Sequence, residues 1–362
     1  MSYILSCCST ADLSKEHFEK RDINYVCFHF YLDEAYYPDD LGQTMPFDKF
    51  YKAMEDGAMT KTSQVNVAEF EEYFESFLKE GKDILHVTLA SGISGVNNSA
   101  NIAKTMMEEK YPDRKIYVVD SLSAACGYGM LMDTLADIRD AGKSIDELHD
   151  WVEANKGKVH HWLTPTDLKY LIRGGRLSKA SGFVGQMLNI CPIMSIINDG
   201  TLKAMQKVRT KKKVLEALAN KVVENTENGA DYADKCYVGH SACEEDAKTL
   251  VALIEGKVPA LKDKIVLGDI GIVIHHHGNA RGAAADEICR QQKQLHRKGI
   301  HQIAQQHHHQ GCDPVFIPLI FRHFVPSLSL QQKTRLSRIF PNRRGSRLAP
   351  NTRIVYRFLT DS

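Results

Sequence analysis

Between Asp83 and Lys110 the chain spells a strand, a turn and a helix, and no other stretch narrows the possible folds as far. Asp83-Ile-Leu-His-Val-Thr-Leu89 is short and apolar, set off by Glu80-Gly81-Lys82, and predicts a buried strand. Ala90-Ser91-Gly92-Ile93-Ser94-Gly95 is a turn of small residues, and Asn97 to Lys110 has helical composition. A helix entered this way leaves its first N–H groups unpaired; with the dipole behind them, they favour an anion such as phosphate or carboxylate. A helix cap at Ser94 and a glycine-built turn would account for the same residues without a ligand.

The rest of the first half repeats the alternation. Tyr3–Ser6 and Asn24–Phe30 predict strands, Ser14–Lys20 and Phe47–Ala58 helices, and Lys61-Thr62-Ser63-Gln64-Val65 a hydroxyl-rich connector that caps the helix Val67–Lys79. A strand at 115–119 ends in Asp120-Ser121, and helices follow over 123–141 and 144–156. Strands and helices at this spacing imply a parallel sheet covered on both faces, with ligands beyond the carboxyl ends of the strands. Beyond a boundary near Gly157 come a strand Val159–Leu163, helices Thr166–Ile172 and Lys179–Leu188, and strands Pro192–Ile197 and Leu202–Gln206 joined by Asn198-Asp199-Gly200. That hairpin signal marks a mixed sheet. Helices over 214–225 and 244–258 and strands over 235–240 and 264–269 complete it. The fold class is therefore α/β: a parallel-sheet domain over 1–157, a smaller mixed-sheet domain over 158–274, and an irregular basic tail.

Charge supports that division. Residues 1–274 carry 32 Lys and Arg against 41 Asp and Glu, a balance of −9; residues 275–362 carry 14 against 4, a balance of +10, with nine of the sixteen histidines. No apolar run approaches the roughly 18 residues of a membrane span. Nine scattered cysteines without a C-x-x-C fit reduced thiols and a cytoplasmic location. Walker A, G-x-G-x-x-G and H-E-x-x-H motifs are absent, and His160-His161 on a strand point to opposite faces, a poor metal pair. No cofactor or metal is expected.

Read together, Ser9-Thr-Ala-Asp-Leu13, Lys61-Thr-Ser-Gln64, Leu89-Ala-Ser-Gly-Ile-Ser-Gly95 with Asn98-Ser-Ala100, Asp120-Ser121, Asp167-Leu168 through Arg173-Gly-Gly-Arg-Leu-Ser178, and Val208-Arg-Thr-Lys-Lys212 follow the order and spacing of the DegV family. The resemblance covers roughly residues 1–274. It implies a fatty-acid-binding protein that buries a long acyl chain, without catalytic residues of its own, and presents the carboxylate to a separate fatty acid kinase subunit. Carried onto this chain, Thr62, Ser91 and Ser94 would hold the carboxylate, and Arg176, Arg209 and His277 would lie at the head group or partner face. The arginines are then expected to serve presentation rather than binding. Met54, Phe70, Phe74, Met106, Met107 and Phe183 are candidates for a tunnel lining, or plain core.

The chain departs from the family at two places. Cys8 stands where the family has an aspartate before its first Ser-Thr. After Ile270-Gly271 the chain reads Ile274-His-His-His277-Gly-Asn-Ala-Arg281 instead of a His-x-Gly-x-Gly turn, and the final apolar strand is expected to be missing. Residues 275–362 read as a foreign, irregular or out-of-frame tail, or as a basic nucleic-acid arm carrying Arg335, Arg338, Arg343, Arg344 and Arg347. A different class of function, a lipid-acting serine hydrolase with Ser94 as nucleophile, would require a histidine nearby; His86, His160, His161 and His240 are the available ones.

Overall fold

The strand Asp83–Thr88 (β6) is buried at every position in the computed structural model. The structure describes residues 3–165, 168, 171–172, 174–177, 190–278 and 317–322, all within one compact unit, Met1–His323. β6 lies between β1 (Tyr3–Cys8) and β7 (Ile116–Asp120), with β2 (Asn24–Val26) beyond β1, and all pairings are parallel. Helices α3 (Val67–Leu78) and α4 (Val96–Lys110) pack on each other and on β6; α5 (Ala125–Asp140) and α6 (Ile145–Asn155) also pack on each other, α5 reaching β1 and α6 reaching β6 and β7. Burial of both faces is what the unbroken apolar run of β6 requires. The short α1 (Lys15–Lys20) begins at Ser14, whose hydroxyl accepts from the His17 N–H.

The expected strand Asn24–Phe30 is divided. The Phe28 N–H donates to the Ser9 hydroxyl at 3.1 Å instead of to the ladder, and the chain leaves the parallel sheet. It enters a three-stranded antiparallel sheet in which β3 (His29–Leu32) lies between β4 (Ala35–Pro38) and β5 (Thr60–Ser63). Thr62 and Ser63 are thus strand residues and not a helix cap. The cap of α3 is Asn66, in a reciprocal pair with Glu69. Helix α2 (Phe47–Glu55) buries Phe50 against Phe30 of β3, edge to face.

The second sheet has the order β10-β9-β8-β13-β11-β12. Its strands are β8 (Val159–Thr164), β9 (Ile190–Ile196), β10 (Leu202–Arg209), β11 (Cys236–His240), β12 (Val266–Asp269) and β13 (Ile317–Arg322). Only β11 and β12 pair in parallel, so the sheet is mixed, as the Asn198-Asp199-Gly200 hairpin predicts. Helices α7 (Lys211–Asn225) and α8 (Glu244–Lys257) cover one face, where Trp162, Ile193 and Val238 join their core. On the other face Leu163, Met194 and Tyr237 join the core of α5 and the first sheet. Helix α5 therefore serves both sheets, and every residue from Ala125 to Ala136 is buried.

β13 corrects the expectation of a missing last strand. Ile317–Arg322 pairs antiparallel with β8 on one side and β11 on the other. In sequence the segment is a six-residue run interrupted by Pro318, with no alternation to mark it; its pairing partners lie far away along the chain. The remainder of 279–362, the arginines of the suggested nucleic-acid arm, the helix expected over 179–188, Arg173 and Phe183 lie outside the described residues. A short helix α9 (Ile272–Gly278) follows β12 and packs on β3 and β5. Among the described residues no helix is long and apolar enough to cross a membrane.

Candidate functional site

A cavity of about 350 Å³ opens where the two large sheets, the small sheet and α9 meet. Its apolar wall comes from Phe28, Leu89, Ile93, Ala124, Ala125, Leu163, Leu171, Ile196, Leu202, Val273 and Ile274. Its polar lining is Thr62, Ser63, Gln64, Ser94, His161 and Arg176. That composition, mostly apolar with a few placed polar groups, is typical of a small-molecule site.

The turn after β6 sets the polar end. Ser94 N and Ile93 N both donate to the Ala90 carbonyl, which curls the chain before α4. The Ser94 hydroxyl accepts from Val96 N at 3.3 Å and faces Gln64 Oε1 at 3.4 Å, long enough to re-aim toward a ligand. Gln64 is held in turn, its amide donating to the Ser99 hydroxyl at 3.1 Å. Helix α4 starts at Gly95 with no side-chain cap on it and no acidic residue in its first turn. Apart from Val96 N, which the Ser94 hydroxyl holds, its positive end meets no charge from its own first turn, in keeping with the strand–turn–helix signal.

Two glycines in this turn have steric reasons. A Cβ on Gly92 would stand 2.5 Å from the backbone carbon of Gly200, so the β9–β10 turn packs directly on the β6–α4 turn. A Cβ on Gly95 would press on Gln64 Oε1 at 3.1 Å. Asp120 ties the same region together: Oδ1 accepts from Ser91 N at 3.1 Å and Leu122 N at 3.0 Å. Leu122 and Ala125 both have positive φ, at 52° and 51°, strain that this cross-linked turn must hold in place. Helix α5 opens there without a side-chain cap, and Ala124 and Ala125 form part of the wall.

Arg176 is half-buried beside these groups. Its Nε donates to the Ile93 carbonyl at 3.0 Å and one terminal nitrogen donates to the Gly174 carbonyl at 2.6 Å. No carboxylate pairs with it among the described residues, and burial lowers its pKa from the ordinary arginine value. A guanidinium remains charged in proteins, so this is a partly desolvated cation on the cavity that no carboxylate of the described residues neutralises.

The structure thus brings Thr62, Ser94 and Arg176 onto one cavity and leaves Ser91 and Arg209 off it. Ser91 is exposed and contributes only its N–H, to Asp120. Arg209 is exposed at the end of β10, away from the lining. His277 falls within α9, whose Val273 and Ile274 reach the cavity. Met54, Phe70, Phe74 and Met107 are core residues and Met106 is exposed; none lines the cavity. The apolar stripe of α3 is spent on packing against β6 and its neighbours. Sequence reasoning missed Gln64 as a holder of Ser94, and His161 and the apolar residues of β8–β10 as lining. The hydrolase alternative has no geometric support: among the described residues no histidine bonds Ser94, whose partners are Gln64 and a backbone N–H.

Fold and cavity define an α/β binding protein whose enclosed site is apolar along its wall and cationic and hydroxyl-rich at one place. The family model described as "uncharacterised protein, DegV family" matches residues 8–285, and the chain belongs to the DegV family. A DegV domain-containing protein of Clostridium perfringens is 38% identical over 269 residues, 74% of this chain and 91% of that one. Among solved structures, a stearic acid-binding protein from Eubacterium ventriosum superposes with a TM-score of 0.69 at 25% identity, covering 88% of this chain and 98% of that one. The Streptococcus pneumoniae fatty acid kinase B3 protein loaded with linoleic acid gives a TM-score of 0.67 at 22% identity, over 88% of this chain and 99% of that one.

Proposed function

We propose that this chain binds a long-chain fatty acid, with its acyl chain along the apolar wall and its carboxylate at Thr62, Ser94 and Arg176. The observation that carries the reading is Arg176, a half-buried guanidinium on an apolar cavity with no carboxylate partner among the described residues. A buried charge of this kind is costly until an anion joins it, and a carboxylate also accepts from the two hydroxyls. The acyl chain adds about 0.8 kcal/mol for each CH₂ removed from water. The solved relatives that bind stearic and linoleic acids support the ligand class.

The same reading assigns no catalytic residue to the chain. Its role is to hold the acid for a separate kinase, as the name of the streptococcal relative suggests. Arg209, exposed at the end of β10, is then available to the partner or to the phosphates it brings. Extraction of purified protein followed by mass spectrometry, with calorimetry on delipidated protein, tests the ligand. Recovery of no fatty acid, together with no heat on adding one, would sink the proposal. Acyl phosphate formation with a cognate kinase tests the presentation step separately.

A further inference from the structure

Among the described lining groups, His161 is the one that a simple fatty acid leaves unexplained. It stands in the middle of the second sheet, on β8, opposite Ile196 of β9 and Ile320 of β13. Strand alternation sends Trp162 to the α7–α8 core, whereas His161 lines the cavity with Leu163 two positions along. It is 1% exposed, and both Nδ1 and Nε2 lack a hydrogen-bond partner among the described residues. Burial, with His160 beside it, pushes its pKa down to about 3, so the ring is neutral and offers one donor and one acceptor.

Of the buried histidines, His161 alone among the described residues has both ring nitrogens without a partner. His86, equally buried, bonds the Ser6 hydroxyl at 2.8 Å. Among the described residues His161 has no such partner: Ile196 stands opposite it, and no hydrogen bond joins it to Thr62, Ser94 or Arg176. An unsubstituted acyl chain lying on this wall would exclude water from the ring and leave both nitrogens unsatisfied, which a binding site normally avoids. A hydroxyl on the chain is both donor and acceptor, the complement of a neutral imidazole.

We propose that His161 is a specificity residue that adapts the cavity to a fatty acid carrying a hydroxyl part-way along its chain. The inference rests on the fatty-acid reading and refines its substrate class. It is tested with the delipidated full-length protein and a panel of stearic acid and monohydroxystearic acids whose hydroxyl is moved along the chain. At least one isomer should bind about tenfold more tightly than stearic acid, the worth of one satisfied buried polar group. In His161→Leu that gain should vanish while stearic acid binds at least as well as in the parent. His161→Gln, which keeps a donor and an acceptor, should retain part of the preference. The idea fails if no isomer gains over stearic acid in the parent. It also fails if the gain survives in His161→Leu, or if that variant loses stearic acid, which would put the imidazole at the carboxylate. A parent that binds no member of the panel overturns the fatty-acid reading itself, a result distinct from equal binding of all members. Should His161→Leu fold poorly, the parent's panel decides alone.

Discussion

Replacing Arg176 with methionine isolates the cation on which the proposed ligand depends. A guanidinium and a carboxylate about 4 Å apart attract by about 4 kcal/mol at an effective dielectric of about 20. Desolvating the head group takes back part of this, and hydrogen bonds to charged groups net about 1.5–3 kcal/mol. The expected loss is therefore about 2–3 kcal/mol, on the order of thirty- to a hundred-and-fiftyfold in Kd. The ligand-free protein should suffer little: the variant loses two bonds to backbone carbonyls but also sheds a half-buried charge that has no acidic partner among the described residues. The assay is calorimetry with a fatty acid and with the fatty alcohol of equal length. The acid should weaken sharply in Arg176→Met, and the alcohol, which brings no charge, should bind both proteins alike. If acid and alcohol lose equally, Arg176 shapes the cavity without recognising an anion; if the acid is unaffected, the carboxylate lies elsewhere.

Thr62→Val and Ser94→Ala should each weaken fatty-acid binding by about 1–3 kcal/mol, whereas Ser91→Ala, changing an exposed side chain, should leave calorimetric affinity unchanged. Gly92→Ala forces a methyl within 2.5 Å of the Gly200 backbone; overpacking of this kind costs about 1–3 kcal/mol and should lower the melting temperature. Burial raises the pKa of Asp39 to about 7, although the Ser9 hydroxyl donates to it at 2.9 Å. In this window the folded state binds more protons than the unfolded one, so stability should fall as pH rises from about 4 to about 7. Asp39→Asn should flatten that slope in denaturant titrations, and an unchanged slope would mean that another group causes it. Truncation before Ile317 removes the strand between β8 and β11, and should abolish cooperative unfolding of the second sheet, measured by amide exchange of those two strands.

The sequence by itself determined the elements whose signals are local. The apolar run of β6, the Asn198-Asp199-Gly200 hairpin and the periodicity of α3 each follow from neighbours a few residues apart, and the mixed second sheet follows from the hairpin. The turn carrying Ser94 was legible for the same reason, since a strand entering a helix through small hydroxyl residues leaves donors exposed, whereas Thr62 and Arg176 came from the family resemblance. Tertiary structure alone decided which of two serines in one turn meets the cavity. Ser91 and Ser94 are chemically alike, and the choice comes from Asp120 holding the Ser91 N–H while Ala90 curls the chain at Ser94. It also decided the lining: the aromatic stripe of α3 went to the core, and β8, β9, β10 and α9 completed the wall begun by the β6–α4 and β7–α5 turns. β13 and Arg176 make the same point. A strand without alternation is defined by its partners, and an arginine binds an anion or merely faces solvent according to how the rest of the fold desolvates it. Hydrogen-bond pairing and burial are set between residues far apart in the chain, and no local pattern records them.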